Sequence, residues 1–403
     1  MRGLPGSYNE WAEKYGLDGW SWDRAGTELG HTSARARTPS AMGMRAGEVM
    51  TDPSRFDNPL PHLSGLNTYI EKAAHQLGLP VEKDYNNPNA PAMGFFHTDM
   101  AIDRSGKRAS TYRAFLPPHI AQARKSHLPV CTSTVVSRLE LDTSSSQVQG
   151  VHILTPKSSS TKREIIICSG AICTPQILLL SGIGPAAAHL AELDIPLRKD
   201  LPVGSALQDH YSVTIMLEVP KSETITLLES IHGLWNILLW LFSGTGLMAT
   251  LSVSWSSSDL LDASSPSNIP DAEIMIPPVS SFERHVPGYS VITLFPTLVQ
   301  PLSRGKIEVL SKDPLANPKI FHPMLQDERD LVPFWKAIRF AMRLAEEFVL
   351  RSWYPLQPAR LTFAPGVNPH LLEAWEATAP PYEVHTDKVT AEGGGRIHVC
   401  FQS

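Results

Sequence analysis

The sequence has few cysteines and no long hydrophobic run, and each absence excludes a class of protein. Its 403 residues include four cysteines without a Cys-x-x-Cys pair, and its fifteen histidines show no ligand-like spacing. Neither a disulfide framework nor a metal site is therefore indicated. The longest apolar run, residues 234–242, is interrupted by Asn236 and is far shorter than the roughly 20 residues that span a bilayer. We predict that this run forms a buried or substrate-lining helix.

A strong excess of either charge is also lacking. Lys and Arg number 35 and Asp and Glu number 40, a formal net charge of −5, and no basic cluster contains interleaved aromatic residues. Neither nucleic acid nor a membrane is therefore expected as a partner. The N-terminal MRGLPGSYNEW has no apolar signal-peptide core, and the chain has no Asn-x-Ser/Thr acceptor. These features favour a cytoplasmic protein.

The middle of the chain has the pattern of β-strands. Three segments rich in Val, Ile and Thr read CTSTVVSRLELD, VQGVHILT and KREIIICS, and serine-rich turns at residues 144–146 and 158–160 separate them. This pattern predicts a small antiparallel meander that leads into a buried strand, residues 164–168. A second sheet is predicted between residues 272 and 310, with YSVITLFPTLVQ and GKIEVLS as its clearest strands.

A long helix is predicted over residues 326–350, and Pro333 is tolerable there because it falls in the first turn. The last forty residues are expected to be loops and an unstructured tail. Helices and strands together predict an α/β fold with mixed α+β character. The residues expected on the apolar face of the long helix are Val332, Trp335, Ile338, Met342, Ala345 and Val349.

The most informative segment is SGAICTPQILLLSGIG, residues 169–184. It follows the predicted strand, and it favours a helix that begins at Thr174 and Pro175, with Thr174 as the N-cap and Pro175 in the first helical position. Glycines at Gly182 and Gly184 permit a tight exit from that helix. A strand, a turn of small residues and a helix N-terminus let the backbone approach a phosphate-bearing cofactor.

This segment resembles the second signature of the glucose–methanol–choline (GMC) family of FAD-dependent oxidoreductases. The resemblance implies a partial FAD-binding Rossmann-like domain and a substrate-binding domain with an antiparallel sheet flanked by helices. It implies an incomplete FAD-binding domain over residues 1–210, a substrate-binding domain over 211–357 and a poorly ordered tail over 358–403. Further matches are YNEWAEKYGLDGWSWD (8–23), AFLPP (114–118), LPVCTSTVVSRL (128–139), LPVGSALQDH (201–210) and SRGKIEVLSKDP (303–314).

The resemblance also implies cofactor contacts for four residues. Val136 matches the valine whose backbone holds the adenine of FAD, while Ser169, Gly170 and Ala171 match the turn that approaches the adenosine side. Within LPVGSALQDH, Ala206 stands where the family usually has Asn, so a hydrogen bond made by that amide is in doubt. FAD is therefore the expected cofactor.

Two pieces of the family pattern are not found in this sequence. No GxGxxG segment follows an apolar strand, and no late histidine lies in an HPxGT-like stretch. His322 precedes Pro323, but it lies upstream of the predicted long helix and is not assigned a catalytic role. We therefore assign no catalytic residue. We expect a chain truncated at both the N-terminal FAD-binding βαβ unit and the C-terminal catalytic segment.

The resemblance implies oxidation of an alcohol by hydride transfer to the flavin. Phe295, Trp235 and Trp240 suit a small aromatic or hydrophobic alcohol, and several family members act in secondary metabolism. Because the two pieces above are missing, we expect this chain to bind FAD poorly and to be impaired or inactive. The alternatives are a non-catalytic remnant, the product of an incorrect gene model, or a binding scaffold. The substrate partner is a small-molecule alcohol, and the oligomeric state is open.

Overall fold

A computed structural model describes most of the chain. The chain divides into two discontinuous compact units. The large unit comprises Met1–His119, Tyr211–Gln300 and Val332–Ser403, and the small unit comprises Ile120–His210 and Pro301–Leu331. The domain boundaries expected from the sequence stay a prediction. The described residues are 4–26, 64–82, 93–97, 110–142, 147–154, 158–160, 164–185, 189–229, 231–243, 254–258, 269–279, 290–323, 325–351 and 398–401, with positions 89 and 91.

Helices and strands are both numerous, which confirms the predicted mixed class. The helices are α1 (Pro5–Tyr15), α2 (Ser64–Gln76), α3 (Thr111–Phe115), α4 (Pro118–Ala123), α5 (Gly170–Leu180), α6 (His189–Glu192), α7 (Ile231–Ser243) and α8 (Leu331–Arg351). The strands are β1 (Val81–Glu82), β2 (Gly94–His97), β3 (Val136–Leu141), β4 (Val148–Ile153), β5 (Ser158–Ser160), β6 (Ile183–Gly184), β7 (Lys199–Asp200), β8 (Tyr211–Glu218), β9 (Ser254–Ser258), β10 (Ala272–Ile276), β11 (Val291–Leu298), β12 (Lys306–Glu308), β13 (Lys319–Phe321) and β14 (His398–Phe401).

A seven-stranded sheet forms the centre of the large unit. Its strand order is β1-β2-β9-β10-β11-β8-β14, and each pair except β1–β2 is antiparallel. In the register of the middle strands, Met275 of β10 lies opposite Phe295 of β11. Thr297 of β11 lies opposite Glu273 of β10 on one side and opposite Ser212 of β8 on the other. Because successive side chains of a strand point to opposite faces, this register fixes which residues share a face.

One face of the sheet carries the core of the large unit. Ile274 of β10 and Ile292 of β11 are fully buried there, and α2 and α8 pack against them. Aliphatic side chains on alternating strand positions and on one helix stripe remove a large apolar area from water, which is the main favourable term in folding. The buried helix residues in this core are Leu66, Ile70, Ala73, Ala74, Ala341, Leu344, Ala345 and Phe348.

The long helix was predicted correctly, and most of its predicted apolar face packs towards the interior. Of the six predicted residues, Ile338 and Ala345 are buried, Trp335, Met342 and Val349 are half-buried, and only Val332 is exposed, at 55%. The buried stripe also includes Phe334 and Leu344, which were not predicted. Ala337 and Ala341 are fully buried beside the predicted face, and Ala341 belongs to the core formed with the sheet. Their small apolar side chains allow the helix to approach closely, and a search for large apolar residues overlooks them.

The small unit contains the predicted meander. Strands β3, β4 and β5 form its three-stranded antiparallel sheet, β6 and β7 form a short parallel pair, and β12 pairs with β13. A small apolar core formed by Leu179, Leu180, Leu190, Ile195 and Val309 holds α5 and α6. The hydroxyl of Ser181 accepts a hydrogen bond from Leu139 N (2.8 Å) and donates one to Ile177 O (2.6 Å), which ties β3 to the end of α5.

Several local predictions are corrected by the structure. Residues 164–168, predicted as a buried strand, have no strand pairing, and Ile166 is 76% exposed. No neighbouring strand lies beside this segment among the described residues, and an unpaired extended segment cannot form a sheet. The third meander strand is instead Ser158–Ser160, in the expected turn. Helix α5 begins at Gly170, one turn before the predicted N-cap Thr174, and Pro175 lies inside it.

Two further predictions concern the ends of the substrate region. The expected unstructured tail contains a strand, because His398–Phe401 pairs with β8. The apolar helix, predicted to be buried or substrate-lining, exposes Leu234, Trp235, Ile237 and Leu238 to solvent.

None of the described helices combines the length and the apolar character needed to cross a membrane. Gly393–Gly395, predicted to be linker or tail, lie outside the described residues.

A buried carboxylate organises the turn before α8. Asp330 is 1% exposed, and it accepts hydrogen bonds from Leu302 N (2.6 Å), Ser303 N (2.8 Å) and the hydroxyl of Ser303 (2.6 Å). Ser303 Oγ in turn accepts a bond from Asp327 N (2.9 Å). Two buried donors of Ser303 and the N–H of Leu302 are satisfied by one side chain, so the two turns are held together.

Replacing Asp330 by Asn tests this arrangement. Asp330→Asn keeps the shape but leaves buried donors facing an amide group, so we expect a loss of about 3 kcal/mol of unfolding free energy. Glu328→Gln removes the same charge from an exposed position in the same turn and is expected to change stability by less than about 0.5 kcal/mol. Urea denaturation measures both. Equal stability of the two variants would contradict a structural role for the carboxylate.

The exit from α5 depends on a glycine. Gly182 has a φ of +79°, and a Cβ built on it would lie 2.2 Å from Pro196 O. Its carbonyl accepts a bond from Arg198 N (2.7 Å), which brings β6 beside the chain leading to β7. A side chain at this position therefore meets both an unfavourable backbone conformation and fixed backbone atoms.

Two alanine substitutions separate these effects. Gly170 also has a positive φ, +82°, but nothing lies within 4 Å of its added Cβ. Gly170→Ala is expected to lose about 1–2 kcal/mol of stability from the left-handed conformation alone. Gly182→Ala adds the clash and is expected to lose at least twice as much in thermal or urea unfolding. Similar losses for the two variants would show that the backbone near Pro196 moves aside.

Candidate functional site

Three of the four predicted cofactor residues lie at the N-terminus of α5. Ser169, Gly170 and Ala171 are all exposed, and the side chain of Ser169 makes no capping hydrogen bond. The first backbone N–H groups of a helix have no partner within the helix, and the dipole gives this end a partial positive charge. The open space around Gly170 leaves these donors accessible. The helix therefore presents an uncapped, positively polarised end to solvent.

The fourth residue, Val136, begins β3 in the same unit. It is half-buried and pairs with Ile153, and the register shifts between Val136 and Arg138, so that Ser137 bulges from the ladder. Such an irregularity at a strand end interrupts pairing and changes the direction of the backbone. Strand β3 is joined to α5 through the Leu139–Ser181 hydrogen bond. The structure thus places all four predicted residues on two elements that pack against each other.

These residues fit only one end of an FAD molecule. An uncapped helix N-terminus with a left-handed glycine and no side chain above it can receive an anionic or polar ligand group. The sequence contains no GxGxxG segment that would form the usual backbone cradle for the pyrophosphate. The four residues could therefore hold the adenosine side of the cofactor through their backbone.

The match at residues 201–210 forms a surface connection in the small unit. Leu207 and Gly305 exchange backbone hydrogen bonds of 2.9 and 2.8 Å, and Gln208 Nε2 donates to Pro301 O (2.9 Å). Asp209 Oδ2 lies 3.2 Å from His322 Nε2, and both side chains are largely solvent-exposed. An exposed pair of this kind contributes little stability. His322, which the sequence analysis did not assign to catalysis, thus contacts a surface carboxylate.

The face of the large sheet opposite the core is unusually rich in hydroxyl groups. Thr297 donates to Ser212 Oγ (3.1 Å), and Thr293 donates to Val279 O (2.7 Å). Thr214, on the same face of β8 as Ser212, is 1% exposed, and its Oγ1 has no hydrogen-bond partner among the described residues. A buried hydroxyl without a partner is costly unless a ligand or water satisfies it. We call this surface the hydroxyl face.

A carboxyl group and an aromatic ring lie on the hydroxyl face. Glu273 pairs in register with Thr297, while Phe295 lies two residues before Thr297 and is half-buried. The Glu273 carboxyl has no hydrogen bond or ion pair with the described residues, and burial raises its pKa to about 7. Burial also raises the pKa of Glu218 on the same face. Displaced pKa values at a partly buried surface are typical of functional sites.

Glu273 and Thr214 were not among the residues predicted from the sequence. The alternation in AEIMI could have indicated Glu273, because it places this residue on the face of the strand opposite that of Ala272 and Ile274. Of the predicted substrate walls, Phe295 lies on the hydroxyl face, whereas Trp235 is 62% exposed on α7. The side chain of Trp240 lies outside the described residues.

An open depression of about 520 Å³ lies in the small unit, away from the predicted residues. Leu302, Ser303 and Arg304 line one side of it, and residues 326–329 line the other. Hydrogen bonds from the Arg329 side chain lower the pKa of Asp327 to about 2. None of the predicted cofactor or substrate residues lines this depression. Across the described ranges, no three His, Cys, Asp or Glu side chains converge on a possible metal position.

Comparison with known proteins identifies the family. The sequence model of the GMC oxidoreductase family matches residues 1–212. An oxygen-dependent choline dehydrogenase from Pseudomonas savastanoi pv. phaseolicola is 28% identical over 434 residues, which cover 99% of this chain and 70% of the relative. One from Yersinia pseudotuberculosis is 29% identical and covers 91% of this chain and 63% of the relative. The chain thus spans about two thirds of the length of these relatives.

Solved structures support the same fold. The crystal structure of a formate oxidase superposes with a TM-score of 0.69 at 20% identity, covering 85% of this chain and 64% of the oxidase. FAD is the cofactor of the family, and the FAD-binding and substrate-binding regions of these enzymes have the mixed helix-and-sheet fold described above. Since the family model covers more than half of the chain, the protein belongs to the GMC oxidoreductase family.

Proposed function

We propose that the protein takes part in the FAD-dependent oxidation of a small aromatic or hydrophobic alcohol. The observation that carries this proposal is the uncapped N-terminus of α5, with Gly170 in an open left-handed conformation, inside the segment that matches the family. When bound, FAD would accept a hydride from the alcohol carbon. The choline dehydrogenases and the aryl-alcohol oxidase among the similar proteins are consistent with an alcohol as substrate.

The cofactor would be held through backbone groups of the small unit. The free N–H groups after Ser169 can donate to polar atoms of the adenosine, and the absence of a side chain on Gly170 keeps the approach open. Val136, at the irregular end of β3, would contribute its backbone groups as a separate contact.

The hydroxyl face of the large unit would receive the alcohol. Phe295 supplies an apolar wall, and the hydroxyl of Thr214 is buried behind this face, where it would contact a substrate oxygen only if the face opens. Burial raises the pKa of Glu273 to about 7, so at neutral pH its carboxyl group can either donate or accept a proton. No histidine is assigned as the base that removes the hydroxyl proton.

The polypeptide of residues 1–403 is proposed to bind FAD weakly and to turn over little or no alcohol. This follows because the four residues offer contacts to the adenosine side of FAD, whereas the sequence has no glycine-rich loop for the pyrophosphate. A visible absorption spectrum before and after addition of FAD tests the proposal. We expect a colourless protein that binds added FAD reversibly. A yellow protein whose flavin is reduced by alcohols would refute it.

Ala171→Glu separates cofactor binding from folding. A carboxylate in the first turn of α5 interacts favourably with the helix dipole and is expected to add about 0.3–1 kcal/mol of stability. The same carboxylate covers the open backbone and competes with the cofactor for the N–H groups of the first turn, so we expect at least tenfold weaker binding in a flavin-fluorescence titration. Ala191→Glu places the same charge on the exposed side of α6 and serves as the control. Unchanged FAD affinity in Ala171→Glu would remove α5 from the cofactor site.

Glu273→Gln tests the environment of the hydroxyl face. The pKa of Glu273 in the folded protein, about 7, lies above its unfolded value near 4.5, so the folded state binds more protons between these values. Stability of the wild type should therefore fall as the pH rises from about 4.5 to 7. Glu273→Gln should match the wild type near pH 4 and exceed it by up to about 3 kcal/mol above pH 7.

Thermal unfolding across this pH range measures the difference between the two proteins. Glu13→Gln, at an exposed position of α1, provides the control and should show no such pH-dependent gain. A difference in unfolding free energy between Glu273→Gln and the wild type that is the same at all pH values would mean that the pKa of Glu273 is not raised in the folded protein.

A further inference from the structure

We draw no further inference here: the strongest candidate, the open depression of about 520 Å³ in the small unit, is lined by equal numbers of arginine and acidic side chains, of which Arg329 and Asp327 pair with each other, so its charge selects no class of ligand and nothing in the described residues shows what it would hold.

Discussion

The burial of one face of the seven-stranded sheet is the constraint on which the large unit depends. Aliphatic residues at alternate strand positions pack against α2 and α8, and this contact removes much of the apolar surface of the unit from water. Because side chains alternate with a period of two, burying Ile274 and Ile292 also fixes Glu273 and Phe295 on the opposite face. The hydroxyl face is therefore a geometric consequence of the core. A register shift of one residue would move the aliphatic residues out of the core and the hydroxyl residues into it.

The small unit depends more on polar contacts, because its apolar core is formed by few side chains. Ser181 joins β3 to the end of α5, and Asp330 joins two turns that would otherwise bury unpaired donors. The Ser181 contact closes the C-terminal end of α5, while its N-terminal end at Gly170 stays open. A helix fixed at one end and uncapped at the other can offer its backbone to a ligand without losing its position, which is the arrangement that cofactor binding needs.

Elements with a regular period were predictable from the sequence, whereas the surroundings of each element were not. The meander and the long helix over residues 331–351 follow from the spacing of apolar residues. The orientation of α7 and the unpaired segment at residues 164–168 depend on which neighbours are present, and apolar composition alone suggests burial for both. Glu273 and Thr214 were missed because the face of a residue becomes informative only after cross-strand register is known. The four cofactor residues came from the family resemblance, and the exposed end of α5 is the physical feature that supports three of them.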